Sequence, residues 1–240
     1  MDHDPVATTY GERCADVYDQ WFGSFDAAAV DTLAQLANGG RVLELGIGTG
    51  LIALPLATRG LDVYGIDASP EMVSRLRAKP GGESIPVTMG DFAEVGVAGE
   101  FSLIFVVYNT FFALQSQRDQ VRCFRNVAEH LTAEGIFVLE AFVPSAAFGP
   151  LKVTAVETDR IGLKVSQHDP VQQRLRSQHV VVRNDEVRLY PVEVRYAWPS
   201  ELDLMAELAG LRLRHRWSDW NRSAFAAASE KHVSVYGPPA

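Results

Sequence analysis

The sequence predicts an α/β protein built on a doubly wound, mostly parallel sheet, with an antiparallel unit inserted behind it. Three observations predict this. Between Arg41 and Phe142, short apolar runs alternate five times with helical segments over short links, the signature of parallel strands joined by crossover helices. A glycine-rich turn follows the first of those runs. From residue 151 to residue 197 the helical period vanishes, and short strands separated by tight-turn residues replace it.

Residues 8–37 read as helical, because Tyr10, Cys14, Val17, Tyr18, Trp21 and Phe22 recur at helical spacing before the breakers Asn38-Gly39-Gly40. Arg41–Leu45 is the first strand. Leu51–Arg59 is a helix with Gly60 as its C-terminal cap, and Leu61–Ile66 the second strand. Ser69 caps the next helix and Pro70 takes its first position, where a missing N–H is harmless; it runs to about Lys79. Ile85–Met89 and Phe101–Tyr108 are strands three and four. Gln117–Leu131 is a helix with Val121, Phe124, Val127, Ala128 and Leu131 on one face, and Ile136–Phe142 is strand five, stopped by Pro144. The insert reads as strands Lys152–Asp159, Gly162–His168, Gln172–Arg183 and Val187–Trp198. Pro199 opens a helix to about Ala209, capped by Gly210, and Leu211–Trp217 and His232–Tyr236 complete the chain. One domain is expected, with an N-terminal helical part (1–38), a nucleotide-binding core (41–150), the insert (151–197) and a C-terminal part (198–240).

Of 240 residues, 47% are hydrophobic and 22% charged, enough apolar content for a sizeable core. The net charge of −8 is uneven: residues 1–150 carry −10 and residues 151–240 carry +2. An acidic core repels a polyphosphate backbone, so no nucleic-acid partner is expected. Cys14 and Cys123 form no Cys-x-x-Cys pair and read as reduced, buried thiols. The acidic start Met1-Asp2-His3-Asp4-Pro5 lacks a signal-peptide core, and the longest apolar run, Leu103–Tyr108, is too short to span a bilayer. A cytoplasmic protein without a membrane partner is expected. No His/Cys/Asp/Glu cluster has metal-ligand spacing, so no metal is expected.

The chemistry concentrates after the strands. Val42-Leu43-Glu44-Leu45-Gly46-Ile47-Gly48-Thr49-Gly50 joins a strand, a glycine loop and a helix start, which suits close approach of a nucleotide-like ligand. The dinucleotide fingerprint would place its third glycine at position 51, which is Leu51, and no Gly-Lys-Ser/Thr follows; NAD, FAD and a phosphate-binding loop are disfavoured. Asp67, 21 residues past Gly46, ends strand two where a carboxylate can accept both ribose hydroxyls. Asp91 and Phe92, after strand three, can meet an adenine amino group and ring.

In order, Glu44 through Gly50, Asp67, Asp91-Phe92 and Tyr108-Asn109 resemble the class I S-adenosylmethionine-dependent methyltransferases over residues 40–145. Tyr10-Gly11-Glu12 and Val17-Tyr18-Asp19 resemble the starts of macrolide deoxysugar N,N-dimethyltransferases, which also carry an antiparallel insert. The resemblance implies a seven-stranded sheet with a reversed last strand, and S-adenosylmethionine as cofactor. It implies that Gly46, Gly48 and Gly50 lie against the methionine moiety, that Glu44 orients the loop or takes the amino group through water, and that Asp67 and the adjoining Ala68 face the ribose. It places Met72 near the adenine with Asp91 and Phe92, and Tyr10, Tyr18 and Tyr108 around the cofactor. Trp21 and Phe22 read as core.

The methyl acceptor is expected above strand four and beneath the insert, near Asn109, Phe112, Tyr196 and Trp198, where aromatics with a few polar groups make a small-molecule pocket. Methyl transfer is an in-line displacement that depends on proximity and orientation. An amine acceptor needs only to be held and deprotonated, whereas a hydroxyl benefits from a base, for which His168 and His179 in the insert are the candidates. The expected function is methylation of N or O on a small molecule, in natural-product biosynthesis, by an enzyme that could pair as a homodimer through the insert. The alternatives are a primary-metabolite methyltransferase, or a cyclase or cofactor-binding regulator of the same fold.

Overall fold

The computed structural model describes residues 11, 14, 15, 17–19, 26–94, 96–145, 148–184 and 186–239. The described residues among 11–19 are helical, but Asp26 is extended at φ −68°, ψ 110° and caps a separate helix α1 (Ala27–Ala37) by accepting from Ala28 N at 2.9 Å. The single helix expected over 8–37 is therefore two: helical periodicity on both sides of Asp26 hid the cap between them.

β1 (Val42–Leu45), α2 (Ala53–Thr58), β2 (Val63–Asp67), α3 (Pro70–Arg77), β3 (Val87–Met89), β4 (Phe101–Val106), α4 (Gln117–His130) and β5 (Leu131–Phe142) follow in the expected alternation. β3 is shorter than expected because Pro86, which has no N–H, precedes its first paired residue; its carbonyl still accepts from Gly65 N. β5 starts earlier than expected, since Leu131 already pairs with Phe101 before the register shifts at Gly135. α3 begins as the sequence indicates, with the Ser69 hydroxyl accepting from Met72 N at 3.3 Å and Pro70 at the first position. β6 (Leu151–Val156), β7 (Arg160–Asp169), β8 (Arg174–Arg183) and β9 (Glu186–Arg195) form the insert; α5 (Pro199–Leu208), β10 (Arg212–Trp217) and β11 (Lys231–Gly237) end the chain.

The main sheet has seven strands in the order β10-β11-β5-β4-β1-β2-β3. β1 to β5 are parallel and β11 runs antiparallel to both neighbours. Both faces are covered, so β4 is apolar on both sides: Ile104 and Val106 pack with Phe124 of α4 and Leu202 of α5, while Leu103 and Phe105 pack with Leu33 of α1 and Leu56 of α2. The insert is a separate antiparallel sheet, β6-β7-β8-β9. It is anchored by buried Arg195, which donates to Gln120 Oε1 at 2.5 Å and to Glu201 Oε1 at 2.7 Å, while Gln120 Nε2 donates back to the Arg195 carbonyl at 2.7 Å. This satisfies most of a guanidinium fork and ties β9 to α4 and α5. Among the described residues no helix is long and apolar enough to cross a membrane.

His232 on β11 is fully buried, with Nδ1 2.8 Å from the Ser234 hydroxyl. Burial, aided by Arg216, lowers its pKa to about 4. It is neutral in the fold at pH values where the unfolded chain, with an ordinary pKa near 6.5, takes up a proton. Its contribution is intact above about pH 6.5 and is lost as pH falls toward 4, by up to about 3 kcal/mol. Urea unfolding across pH 4 to 7 should therefore show a shallower pH slope in His232→Gln than in the parent; equal slopes would contradict a neutral buried imidazole.

Candidate active site

β1, β2 and β3 end side by side, and their following loops share one crevice at the carboxyl edge of the sheet. Gly46, Gly48 and Gly50 adopt φ of +74°, +53° and +80°, a region that β-carbons disfavour. A Cβ on Gly46 would strike Thr110 and one on Gly50 would strike Leu76, whereas one on Gly48 would meet nothing nearer than 4.0 Å. The loop thus packs behind at Gly46 and Gly50 and leaves room at Gly48. Asp67 holds it in place, its Oδ2 accepting from Gly48 N at 2.7 Å and its Oδ1 from Ser69 N at 2.8 Å; the Ala68 N–H also points to this carboxylate. Asp67 therefore braces the loop and the start of α3 together, with lone pairs to spare. Burial outweighs these donors and raises its pKa.

Glu44, on the central strand β1, is fully enclosed. Burial and the Asp67 charge raise its pKa well above the usual carboxylate range, against one donor, Ala53 N. Its Oε2 is buried and has no hydrogen-bond partner among the described residues, an acceptor waiting for a donor. Phe92, nearly buried, lies with Thr110 against Gly46. Asp91 accepts from Ala93 N at 2.8 Å and lies 3.9 Å from Arg122. Met72 packs with Cys14, Ala15 and Tyr190.

The described helical residues 14, 15 and 17–19 cover this crevice. Cys14 and Ala15 are buried between Met72 of α3 and Tyr190 of β9. Burial, with Glu44, Tyr108 and Asp67 close by, raises the pKa of Tyr18. Asp19 accepts from the Thr49 hydroxyl at 2.6 Å and pairs with Lys79 at 2.6 Å, and Lys79 donates to the Thr49 carbonyl at 2.8 Å. Asp19, Thr49 and Lys79 thus fasten the covering segment to the glycine loop, a role that no periodicity or motif indicates. Tyr10, Trp21 and Phe22 lie outside the described residues.

Beyond β4, Tyr108 and Asn109 both occupy the left-handed region, at φ +55° and +66°. Two such residues in succession are costly, and the surroundings must hold them. Glu140 does so. Its Oε2 accepts from Tyr108 N at 3.2 Å, its carbonyl from Asn109 N at 3.4 Å, and its Oε1 from Trp220 Nε1 at 3.1 Å. The Asn109 Oδ1 in turn accepts from Phe142 N at 2.6 Å. Tyr108 has its pKa raised to about 12, chiefly by burial and by Glu140. A cavity of about 540 Å³ lies over this corner, lined by Tyr108, Asn109, Glu140, Phe142, Asp219, Glu230 and Lys231 among others. Sequence reasoning missed Glu140, because a buried acid in an apolar strand carries no motif; its only signal is being the one charge in Ile136–Phe142.

The expected acceptor residues scatter. Phe112 is in the core, edge-on to Phe111 and Phe142. Tyr196 is buried, its hydroxyl 2.8 Å from His168 Nε2, and both rings pack with Phe148. Trp198 is exposed at the start of α5, and His179 lies on β8, its pKa lowered by burial and by Lys164. Neither histidine lines the cavity. Among the described residues, no three His, Cys, Asp or Glu side chains are grouped to hold a metal.

Removing the Glu140 carboxylate leaves the buried Trp220 Nε1 and the strained Tyr108 N unpaired. Glu140→Ala should destabilise by about 2–4 kcal/mol in urea unfolding, one to two lost buried partners; a loss below about 0.5 kcal/mol would contradict the bracing role.

Residues 42–135 match the family model of a methyltransferase domain. The chain is 37% identical to the solved CcbJ methyltransferase of Streptomyces caelestis, with a TM-score of 0.91, covering 98% of this chain and 99% of that one. It is 28% identical over 203 residues to the cypemycin N-terminal methyltransferase of a Streptomyces species, 82% of this chain and 83% of that protein. The S-adenosylmethionine-bound amino pentose methyltransferase CalS10 of Micromonospora echinaspora, involved in calicheamicin biosynthesis, shares the fold at 18% identity and a TM-score of 0.67, over 91% of this chain and 96% of that one. The partnerless Glu44 Oε2, the room beside Gly48 and the remaining lone pairs of Asp67 fit the cofactor's amino group, its methionine backbone and its ribose. By sequence, by whole-chain structure and by the chemistry of the crevice, this chain belongs to the class I S-adenosylmethionine-dependent methyltransferases.

Proposed function

We propose that the enzyme methylates an amine nitrogen on a small natural-product molecule, held where β4 and β5 end. The observation that carries this reading is the lining of the cavity: Glu140, Asp219 and Glu230 face it against a single cation, Lys231, which itself lies 3.8 Å from Glu140. Such a lining attracts an ammonium group and stabilises the positive charge that nitrogen acquires as it is methylated. Neither His168 nor His179, the bases expected for a hydroxyl acceptor, lines the cavity. The names of two relatives, one acting on an N-terminus and one on an amino pentose, accord with an amine.

When bound, S-adenosylmethionine supplies a methyl group on a positive sulfur. In this reading Glu44, Gly46, Gly48, Gly50, Asp67, Ala68 and Phe92 hold the cofactor, Asp91 and Met72 flank its adenine end, and Tyr18 and Tyr108 close over it. The cavity would hold the acceptor nitrogen with its lone pair toward that methyl group, and Glu140, Asp219 and Glu230 would pass the proton it sheds to water. The insert roofs the acceptor. Tyr108 and Asn109, pinned by Glu140, fix the angle of approach.

The test is a matched pair of acceptors, one sugar carrying an amine and its analogue carrying a hydroxyl. S-adenosylhomocysteine and an N-methyl product should form with the amine; turnover of the hydroxyl form alone would overturn the reading. Asp67→Ala should weaken S-adenosylmethionine binding by about 1.5–3 kcal/mol in calorimetry, the loss of a charge-assisted hydrogen bond. Unchanged affinity in the folded variant would remove Asp67 from the cofactor site.

A second copy of this chain is the partner that we propose for the outer face of the insert. Leu151, Val153, Ile161, Val165, Val187 and Leu189 are exposed there, on three of its four strands. Ten-residue strands make a face roughly 33 by 15 Å, a footprint comparable to an interface burying about 800 Å² per partner. Its aliphatic part meets its own copy with no opposed like charges, and Arg176 and Glu193 on the same face pair with each other. Light scattering should find a dimer in the parent and a monomer in Val153→Glu/Leu189→Glu; a monomeric parent would refute the pairing.

A further inference from the structure

The insert carries six arginines and two lysines, and their pairing differs. Each arginine is matched to a carboxylate: Arg160 to Glu157, Arg174 and Arg176 to Glu193, Arg183 to Asp159, Arg188 to Glu186 and Arg195 to Glu201. Lys152 and Lys164 have no carboxylate partner among the described residues, yet they sit directly opposite each other across β6 and β7. Facing like charges destabilise a sheet, the more so where one is half-buried, as Lys164 is. The row continues in register to His179 on β8 and Tyr190 on β9. Burial, then Lys152, lowers the pKa of Lys164, and burial, then Lys164, lowers that of His179.

This row lies on the inner face of the insert. Its last member, Tyr190, packs on Cys14, Ala15 and Met72, one helical turn from Tyr18 beside Glu44 and Asp67. Along β7 the same face carries Ser166 and then His168, which joins Tyr196, Phe148 and, through them, Phe142 at the acidic cavity. One face therefore runs from an unpaired cationic end to the corner where an amine would be methylated. We propose that Lys152 and Lys164, flanked by His179, form a subsite for an anionic group, a carboxylate or a phosphate, carried by the methyl acceptor. The subsite rests on the amine reading of the cavity and deepens it: the acceptor class becomes an amine that also bears an acid. An unpaired lysine pair, costly in the free protein, is relieved when that acid lies between the two ammonium groups.

Two measurements test it. In the parent protein, inorganic phosphate and acetate are titrated while the His179 ring is followed by NMR. Phosphate, acetate or both should shift the ring signals and raise the ring's titration midpoint, and the stronger of the two names the acid; Lys152→Met/Lys164→Met should need about tenfold more anion for the same response. In turnover, amines with and without a carboxylate or phosphate are compared as matched pairs. The parent should prefer the acidic member, the double Met variant should lose about tenfold of that preference in kcat/KM, and Lys152→Arg/Lys164→Arg should restore it. No ring response to either anion in the parent, or a Met variant that keeps the full preference, overturns the subsite. Anion binding without turnover of any amine would leave the subsite standing and sink the amine reading. Turnover of amines with no acid preference does the reverse. If the Met variant does not fold, the parent's anion titration and acceptor comparison decide alone.

Discussion

The hydrogen bond from Gly48 N to the Asp67 carboxylate joins the ends of β1 and β2, and the site is organised around it. It holds a left-handed glycine turn in one shape and fixes the carboxylate's rotamer. Through Ser69 N it also starts α3 in the correct direction. Glu44 is buried nearby, and the Asp67 charge together with burial disfavours its ionised form. The crevice is thus assembled in advance of its ligand, with one unsatisfied acceptor, Glu44 Oε2, turned toward it. A half-satisfied polar site is unstable as packing and sensible only as binding.

The same logic recurs at the far corner of the sheet. Tyr108 and Asn109 are strained, and Glu140, Trp220 and the Phe142 backbone hold them with hydrogen bonds that a looser corner could not maintain. Both corners are held by hydrogen bonds, and the segment with Tyr18 and Asp19 is fastened by polar bonds to Thr49 and Lys79. Those bonds are partly solvated and individually worth little.

The insert follows another economy. Arg195 secures it to α4 and α5 from inside, and the remaining arginines are neutralised locally along the strands. Its inner face is polar and cationic at one end and aromatic at the other, while its outer face is aliphatic.

Much of this was legible in the sequence because it is encoded locally. Alternating apolar runs specify strands buried on both faces, three glycines at alternate positions specify a left-handed turn, and Ser69-Pro70 specifies a helix start, each through the sterics and hydrogen bonding of a few adjacent residues. The strand order and the reversed β11 were implied only by likeness to a family, and the cap at Asp26 was masked by helical periodicity on both its sides. Glu140 with Trp220, Asp19 with Lys79, and Lys152 opposite Lys164 were beyond reach. The first two pairs join residues 80 and 60 apart in the chain, and the third depends on the strand register. The sequence by itself determined the elements and the cofactor loop, since local backbone chemistry decides those. Only the tertiary structure decided which charges are paired, which are left bare and what they face, because that depends on side chains brought together from distant parts of the chain.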